Sequence, residues 1–338
     1  MTAGSVTALR WGIAGTGKVS DEIADDFALV QDAQLVGVSS RTDAAAYRFA
    51  DAHGIGARYS DYDAMLTDVD AVYIGTPHAT HFDYAKRALS RGRHVLCEKP
   101  LTLRPADAVI LADLARHHGV FLMEAMWMKF NPLHQRLISL VNEGAIGDLR
   151  SVHATFGYPF PKDGSSRWQA SMAGSALLDQ GIYPVTLAHM LLGEPESISA
   201  AGTVTADGID LSSHFTFEYS GGRFAQGASS MVDFLDMTAS ITGTEGFISI
   251  GSGFWFASAL ELHQETADGF TRRRIEVERE GHGYTPMLRA VTAAIQAGAT
   301  EHPLHTPAHA ADTLALLAEI RRQIPVIQPA QPKRTTSP

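Results

Sequence analysis

A glycine-rich turn near the start of the chain constrains the fold more than any other feature. The segment Gly12-Ile-Ala-Gly15-Thr-Gly17-Lys-Val-Ser20 follows an apolar run and precedes a predicted helix. Gly15 permits a tight turn, Gly17 lets a pyrophosphate approach the backbone, and Ser20 is small enough for helix and strand to pack closely. The helix N-terminus adds free N–H groups and a partial positive charge for phosphates. Taken alone, the motif fits a dinucleotide site and a plain strand–turn–helix about equally well.

The residues that follow repeat an alternation of short apolar strands and helices. The predicted strands are 9–14, 34–39, 71–76, 94–97 and 120–123, and the predicted helices are 20–30, 44–53, 81–91 and 105–118. This alternation is typical of a parallel sheet with crossover helices. It favours dinucleotide binding as the role of the glycine turn.

After about Glu124 the pattern changes to longer strands joined by glycine turns, with Gly221-Gly222 as a hairpin signal. The predicted strands are 149–156, 197–204, 213–219, 224–230, 236–242 and 246–250, and the predicted helices are 132–142, 175–192 and 306–323. The sequence thus predicts an α/β protein: an N-terminal Rossmann fold followed by a C-terminal α+β domain built on a large, mostly antiparallel open sheet. The predicted limits are 1–124 for NAD(P) binding, 125–325 for substrate binding and oligomerisation, and 326–338 for a flexible tail.

Composition excludes several classes of function. The formal net charge of −10 argues against nucleic-acid or acidic-membrane binding. The single cysteine, Cys97, rules out an intrachain disulfide and fits a reducing compartment. The 15 histidines are scattered along the chain and there is no CxxC pattern, so we expect no metal. Without a signal peptide or a membrane-spanning apolar run, the cytoplasm is the expected location.

The end of the second predicted strand bears on the choice of dinucleotide. NAD sites usually place an acidic residue there for the ribose 2′-hydroxyl. Here the strand ends Ser39-Ser40-Arg41-Thr42, and the first carboxylate is Asp43. A hydroxyl followed by a guanidinium suits a 2′-phosphate, because arginine offers a planar fork of donors. We expect NADP, with NAD as the alternative and a solvated loop position as the other interpretation of Arg41.

Several segments of the chain match motifs of a known protein family and occur in the same order as in that family. They are Gly12–Gly17, Gly75–His78 with His81, Val95–Pro100, Phe121–Pro132 and Ser175–Tyr183. On these segments the chain resembles the Gfo/Idh/MocA family, and within it the branch of dimeric dihydrodiol dehydrogenase and NADP-dependent D-xylose dehydrogenases. The resemblance implies hydride transfer between NAD(P) and a hydroxyl carbon of a sugar, polyol or cyclic diol. It also implies a homodimer or homotetramer formed through the C-terminal sheet.

The resemblance also implies roles by position. Lys99 would contact the substrate hydroxyl and the nicotinamide ribose, Tyr183 would be the acid/base, and Asp179 would orient or relay. The predicted cofactor contacts are Gly12, Gly15, Thr16, Gly17, Lys18, Val19, Ser40, Arg41, Thr76, Pro77, His78, His81, Glu98, Lys99, Arg167 and Trp168. The predicted substrate contacts are Lys99, Trp127, Phe156, Asp179 and Tyr183, with Phe130 and Phe160 as further members of an apolar wall. Core packing is the alternative for the aromatic residues, and a surface role for Arg167 and Trp168.

The predicted chemistry depends on the pKa of Tyr183. A free tyrosine has a pKa of about 10, which is high for a base at neutral pH. A lysine cation at about 4 Å stabilises the phenolate by about 4 kcal/mol at an effective dielectric near 20. We therefore expect Lys99 to bring the phenol towards neutrality. The alternatives are reduction of a keto-sugar such as an anhydrofructose, hydride shuttling on a cofactor that does not exchange, and a non-catalytic NADP-dependent regulator of the same fold.

Overall fold

The computed structural model describes residues 8–267 and 269–326. The predicted tail, apart from Val326, lies outside the described residues. Among these residues, no helix combines the length and apolarity needed to cross a membrane.

The N-terminal part is a six-stranded parallel sheet in the order β3-β2-β1-β4-β5-β6. Its strands are β1 (Leu9–Ala14), β2 (Ala33–Ser39), β3 (Ala57–Tyr59), β4 (Ala71–Ile74), β5 (His94–Cys97) and β6 (Leu122–Glu124). Its helices are α1 (Lys18–Phe27), α2 (Asp43–His53), α3 (Tyr62–Asp68), α4 (His81–Leu89) and α5 (Pro105–His118). The predicted Rossmann fold is confirmed. The sequence did not predict β3 or α3, because three and seven residues are too few for a clear period.

The strand order reverses between β1 and β4, so the carboxyl ends of these two strands flank the crevice where such sheets bind ligands. The glycine turn packs tightly there. A Cβ on Gly15, which has φ +100°, would lie 2.5 Å from the carbonyl oxygen of Gly75, and a Cβ on Gly75 would lie 2.4 Å from Ser20 Oγ. Only small residues at these three positions let helix α1 approach the sheet.

The second sheet has eight strands in the order β14-β13-β12-β11-β7-β10-β9-β8. They are β7 (Leu149–Gly157), β8 (Ser197–Val204), β9 (Asp210–Tyr219), β10 (Arg223–Ser230), β11 (Ala239–Gly243), β12 (Gly246–Ile250), β13 (Ala259–Thr266) and β14 (Gly269–Glu276). All pairs of neighbouring strands in this sheet are antiparallel except the pair β7 and β10, which is parallel. The predicted mostly antiparallel sheet and the Gly221-Gly222 hairpin between β9 and β10 are confirmed.

Four helices complete the fold: α6 (Pro132–Asn142), α7 (Ile182–Leu192), α8 (Thr285–Gln296) and α9 (Pro307–Gln323). Helices α7 and α9 lie against one face of the second sheet. Helix α9 also packs on α5, and α8 packs on α1. Between α8 and α9, the carbonyl of Thr300 accepts a 3.0 Å hydrogen bond from the N–H of Leu122 in β6. The C-terminal helices therefore tie the two sheets together.

Candidate active site

Lys99 and Asp179 form the centre of the candidate site. Strand β5 ends at Cys97, which places Lys99 at the carboxyl edge of the parallel sheet. Its Nζ donates to Asp179 Oδ1 at 2.8 Å and to the Asp179 carbonyl at 2.8 Å, and the two side chains are only 11% and 18% exposed. Burial lowers the pKa of the Lys99 ammonium, but the Asp179 carboxylate outweighs it and raises the pKa above its ordinary value. Lys99 is a fixed cation.

A π-helical turn, Leu177–Gly181, presents Asp179. In a π turn, a carbonyl pairs with the N–H five residues on. For Asp179 that residue is Pro184, which has no N–H to donate. Lys99 Nζ satisfies this carbonyl as well as the carboxylate. The sequence predicted one helix over 175–192, and the structure divides it into this turn and α7.

Arg167 lies on the other side of Asp179. Its Nε donates to Asp179 Oδ2 at 2.7 Å, and its guanidinium stacks 3.7 Å from the ring centre of Phe160. Burial raises the pKa of Asp179, but the charges of Lys99 and Arg167 outweigh it and hold the pKa well below its usual range. Arg167 was predicted as a cofactor contact, and this ion pair is an additional role that the sequence did not indicate.

Tyr183 lies one turn further along, almost fully buried. Its ring centre is 5.4 Å from Lys99 Nζ, and its hydroxyl accepts a 2.9 Å hydrogen bond from the indole N–H of Trp127. Burial is the largest influence and raises the pKa of Tyr183 to about 12, against the lowering effects of Lys99 and the Trp127 hydrogen bond. The expectation that Lys99 brings this phenol to neutrality is wrong in this geometry, because the ammonium is held by Asp179 and the desolvation cost is larger.

An aromatic cavity of about 300 Å³ lies beside Tyr183. It is lined by Phe156, Tyr158, Phe160, Met237, Ser252, Gly253, Trp255 and Phe256. Trp255 stacks on Phe156 at 3.6 Å, and the centres of these two rings lie 5.8 and 5.7 Å from that of Tyr183. Of these residues, Phe156 and Phe160 were predicted from the sequence and Trp255 was not. The sequence feature that could have indicated Trp255 is the aromatic run Phe-Trp-Phe at 254–256.

Two other aromatic residues of the predicted wall lie elsewhere. The buried Phe130 packs against His302 and does not line this cavity. Trp127 is also buried, with its ring centre 4.5 Å from that of Tyr284 and its N–H directed at the Tyr183 hydroxyl. The predicted contact of Trp127 with substrate stays a prediction.

The geometry around the glycine turn fits a dinucleotide. Gly17 is the N-cap of α1 and makes no side-chain cap, and a Cβ built on it meets no atom within 4 Å. This leaves both space and free backbone N–H groups for phosphate oxygens. Thr16 Oγ1 lies 3.2 Å from Ser40 Oγ, which connects the turn to the end of β2.

The other predicted cofactor residues are placed around this crevice in different ways. Lys18, Val19 and Arg41 are exposed at its rim. Gly12 lies inside β1, where a Cβ would come within 3.0 Å of Met65, so its evident role is packing under α3. The Trp168 indole donates to the carbonyl of Pro161 in its own loop at 2.8 Å.

A second group of predicted residues forms the floor between β4 and β5. His81 Nδ1 and Nε2 lie 2.7 Å from the carbonyl oxygens of Pro100 and Thr76, so the ring bridges the segments after both strands. Pro77 precedes a short turn, His78–Thr80, and burial lowers the pKa of His78 to about 3.

Glu98 is buried next to this floor. Its Oε1 accepts a 2.8 Å hydrogen bond from the Tyr73 hydroxyl, and burial raises its pKa to about 7 although Lys99 and Tyr73 lower it. Glu98 thus supports the segment that carries Lys99.

One group of potential metal ligands, His189, Glu194 and Asp312, was not indicated by the sequence spacing. Glu194 and Asp312 are exposed, and exposed acidic groups commonly meet without an ion. His189 lies on α7, Glu194 follows the end of that helix, and Asp312 lies on α9.

Family models match both parts of the chain. An oxidoreductase family model with an NAD-binding Rossmann fold, of the Gfo/Idh/MocA type, matches residues 9–126. The Gfo/Idh/MocA C-terminal domain model matches residues 134–249.

Similar proteins extend over nearly the whole chain. Trans-1,2-dihydrobenzene-1,2-diol dehydrogenase of Xenopus tropicalis is 30% identical over 339 residues, covering 95% of this chain and 100% of the relative. The enzyme of the same name from Sus scrofa is 32% identical over 333 residues, covering 95% and 98%. A solved 3-ketoreductase from Actinomadura kijaniata, in complex with NADP and TDP-benzene, superposes with a TM-score of 0.85 at 26% identity, covering 95% and 99%. An aldose-aldose oxidoreductase from Caulobacter crescentus, at 23% identity and a TM-score of 0.83 over 94% and 97%, shares the fold.

Proposed function

The chain belongs to the Gfo/Idh/MocA family of oxidoreductases, and on this premise we propose that it transfers a hydride between NADP(H) and a hydroxyl or keto carbon of a sugar, polyol or cyclic diol. It is an oxidoreductase acting on CH–OH groups, with an NAD(P)-binding Rossmann domain. The observation that carries the finer proposal is the joint placement of Lys99, Asp179 and Tyr183 at the carboxyl edge of the parallel sheet.

We assign proton transfer to Tyr183 and stabilisation of the charge on the substrate oxygen to Lys99. When bound, the nicotinamide supplies or accepts the hydride. Tyr183 gives its phenolic proton to the substrate oxygen during reduction and takes it back during oxidation. The Lys99 ammonium stabilises the negative charge that develops on that oxygen. Asp179 orients Lys99 through its carboxylate and its carbonyl, and so keeps the ammonium in place for both reduction and oxidation.

The proposal for NADP rests on the end of β2. Ser40 is joined to the glycine turn through Thr16, and the exposed Arg41 follows directly. A hydroxyl and a guanidinium together are suited to a 2′-phosphate, whereas a ribose diol would favour a carboxylate.

The aromatic cavity supports a ring-shaped substrate. Phe156 and Trp255 offer flat apolar faces, and both rings adjoin Tyr183, whose ring centre lies 5.4 Å from Lys99 Nζ. A sugar or cyclic diol matches this arrangement, because it has apolar C–H faces and oxygen atoms at its edge.

Reduction of a ketone is the second candidate, and the protonation of Tyr183 favours it. A phenol with a pKa of about 12 is fully protonated at neutral pH and is ready to donate. The same group is a base in only a small fraction of molecules at that pH. A keto-sugar would then be the substrate under physiological conditions.

The test is a spectrophotometric screen of aldoses, polyols, anhydrosugars, keto-sugars and cyclic diols with NADP(H) and NAD(H). We expect turnover on a member of this panel and a higher kcat/KM with NADP(H). Tyr183→Phe removes the proton donor but keeps the ring, and kcat should fall by a factor of about 100 to 10,000 while NADP affinity is retained. A Tyr183→Phe enzyme with near-normal kcat would disprove the acid/base assignment.

A further inference from the structure

A loop of the second domain is fixed to the cofactor helix by one buried carboxylate. Asp26 lies in the last turn of α1 and is fully buried. Three backbone N–H groups donate to it: His282 to Oδ1 at 2.7 Å, Tyr284 to Oδ2 at 2.7 Å and Thr285 to Oδ2 at 2.9 Å. These donors follow β14 and open α8, and they are 256 to 259 residues distant in sequence from Asp26.

The loop is shaped to meet this carboxylate. Helix α8 has no side-chain cap of its own, so Asp26 supplies one from another element. Gly281 and Gly283 have φ of +54° and +105°; a Cβ on Gly281 would lie 2.1 Å from Asp26 Oδ1, and one on Gly283 would lie 2.8 Å from the Trp127 ring. The two glycines therefore bring the backbone close to α1 on one side and to Trp127 on the other.

A short series of contacts leads from this loop to the reacting group. The Tyr284 ring packs against Trp127 with centroids 4.5 Å apart and ring planes tilted by 31°, and the Trp127 N–H donates to the Tyr183 hydroxyl at 2.9 Å. All three aromatic residues are less than a tenth exposed. The indole orientation that allows this hydrogen bond is thus fixed by Tyr284, and Tyr284 by Asp26.

We propose that Asp26 is a positioning residue for the reaction: by holding the loop 282–285 on α1, it orients Trp127 and through it the hydroxyl of Tyr183. The inference rests on the proposed function of Tyr183 as acid/base. It links the helix that opens the dinucleotide site to the proton donor, so both are placed by one set of contacts.

The test compares Asp26→Asn with Asp21→Asn. The amide of the Asp26→Asn variant offers one accepting oxygen where the carboxylate has two, so the three N–H donors lose part of their partners. Asp21 lies on the same helix, but its side chain is 53% exposed and its carboxylate contacts the side chain of His53 in α2. With NADP+ and the panel compound of highest kcat/KM, we expect Asp26→Asn to lower kcat roughly tenfold with little change in the KM for NADP+, and Asp21→Asn to leave both unchanged.

A double-substitution cycle separates positioning from loss of stability. Trp127→Phe removes the indole N–H, so adding Asp26→Asn to it should cause little further loss of kcat. Tyr284→Leu removes the packed ring without touching the carboxylate; it should show the same kcat loss and the same non-additivity, and it serves if Asp26→Asn does not fold.

Two results would overturn the inference. One is a kcat for Asp26→Asn equal to that of Asp21→Asn; the other is a set of losses that multiply in the double variant. If Tyr183→Phe has lost activity while either result is obtained, only the role of Asp26 fails. If Tyr183→Phe keeps its kcat, the acid/base assignment fails first, and the positioning role fails with it.

Discussion

At the scale of single residues, the proposed acid/base role of Tyr183 predicts how the reaction rate depends on pH. Burial raises its pKa to about 12, so the phenol is protonated across the neutral range. Oxidation requires the phenolate, and its fraction grows about tenfold per pH unit below the pKa. Reduction requires the phenol, and its fraction is nearly constant from about pH 6 to about pH 10.

We therefore predict that kcat for alcohol oxidation rises continuously with pH up to the limit of protein stability, whereas kcat for ketone reduction stays nearly flat. Stopped-flow or steady-state rates in both directions across this pH range provide the measurement. Lys99→Met removes a charge that lowers this pKa, so the rise in oxidation should move to higher pH. An oxidation rate that levels off near about pH 7 in the unaltered enzyme would contradict the assignment.

We propose that Arg41 sets the preference for NADP over NAD. Arg41→Ala removes a guanidinium from the predicted 2′-phosphate position, and a charge-assisted hydrogen bond contributes about 1.5–3 kcal/mol. We predict that the Kd for NADP+ rises about tenfold or more, while the Kd for NAD+ changes less than twofold. Fluorescence titration or calorimetry measures both constants. Arg48→Ala, an exposed arginine of α2, is the matched control, and equal losses for both dinucleotides would refute the role of Arg41.

The family motifs name Lys99, Asp179 and Tyr183, and the structure brings their side chains together, while their catalytic roles stay predictions. The pKa of the Tyr183 phenol is higher than the sequence led us to expect. The salt bridge of Arg167, the ring of Trp255 and the carboxylate of Asp26 have no local signature. Their roles come from tertiary contacts between segments that are up to 259 residues apart.

At the scale of elements, the glycine turn and the end of β4 have separate functions. A Cβ on Gly75 would lie less than 3 Å from Ser20 and Tyr73, whereas one on Gly17 would face open space. A side chain at position 75 therefore disturbs packing, and one at position 17 occupies the space proposed for phosphate.

We predict that Gly75→Ala lowers the free energy of unfolding by about 1–3 kcal/mol, because the added methyl group would overlap two fully buried side chains. Gly17→Ala should leave the free energy of unfolding almost unchanged and weaken NADP binding severalfold. Gly56→Ala, at an exposed position with no neighbour within 4 Å, is the control for both. Denaturant unfolding and dinucleotide titration on the three variants check these effects. A destabilised Gly17→Ala protein with normal affinity would contradict the prediction.

The sequence did not predict β13, β14 or α8, although α8 has a buried face. Strand β14 is exposed at nearly every position, so it shows no alternation of apolar and polar residues. The π turn before α7 has the composition of an ordinary helix, and its geometry depends on Pro184 and on the contact with Lys99. Strand β5 and helix α5, which have clear buried faces, were predicted at their observed limits.

At the scale of the whole molecule, the second sheet has one face covered by helices and one face without a helical cover. On strands β7 and β11, apolar residues such as Val152 and Ile241 lie on the face covered by α7, and His153 and Ser240 lie on the opposite face with the rings of Phe224 and Phe247. A broad face that mixes polar and aromatic side chains in this way can bury a large area against a second copy. We propose a homodimer, or a tetramer of such pairs, through this face.

Ser240 lies on β11 and pairs with His153 of the central strand β7, so it belongs to the middle of the uncovered face. In a two-fold interface, Ser240→Arg places the same charge on both copies, and the two guanidinium groups are buried without a partner. We predict that this variant is a monomer by light scattering, while the unaltered protein is a dimer or tetramer. Ser60→Arg introduces the same charge at an exposed loop of the N-terminal domain and should keep the native mass. Because Lys99, Asp179 and Tyr183 lie on the covered side with the helices, the Ser240→Arg monomer should retain NADP binding. A native-sized Ser240→Arg protein would mean that the copies associate through another surface.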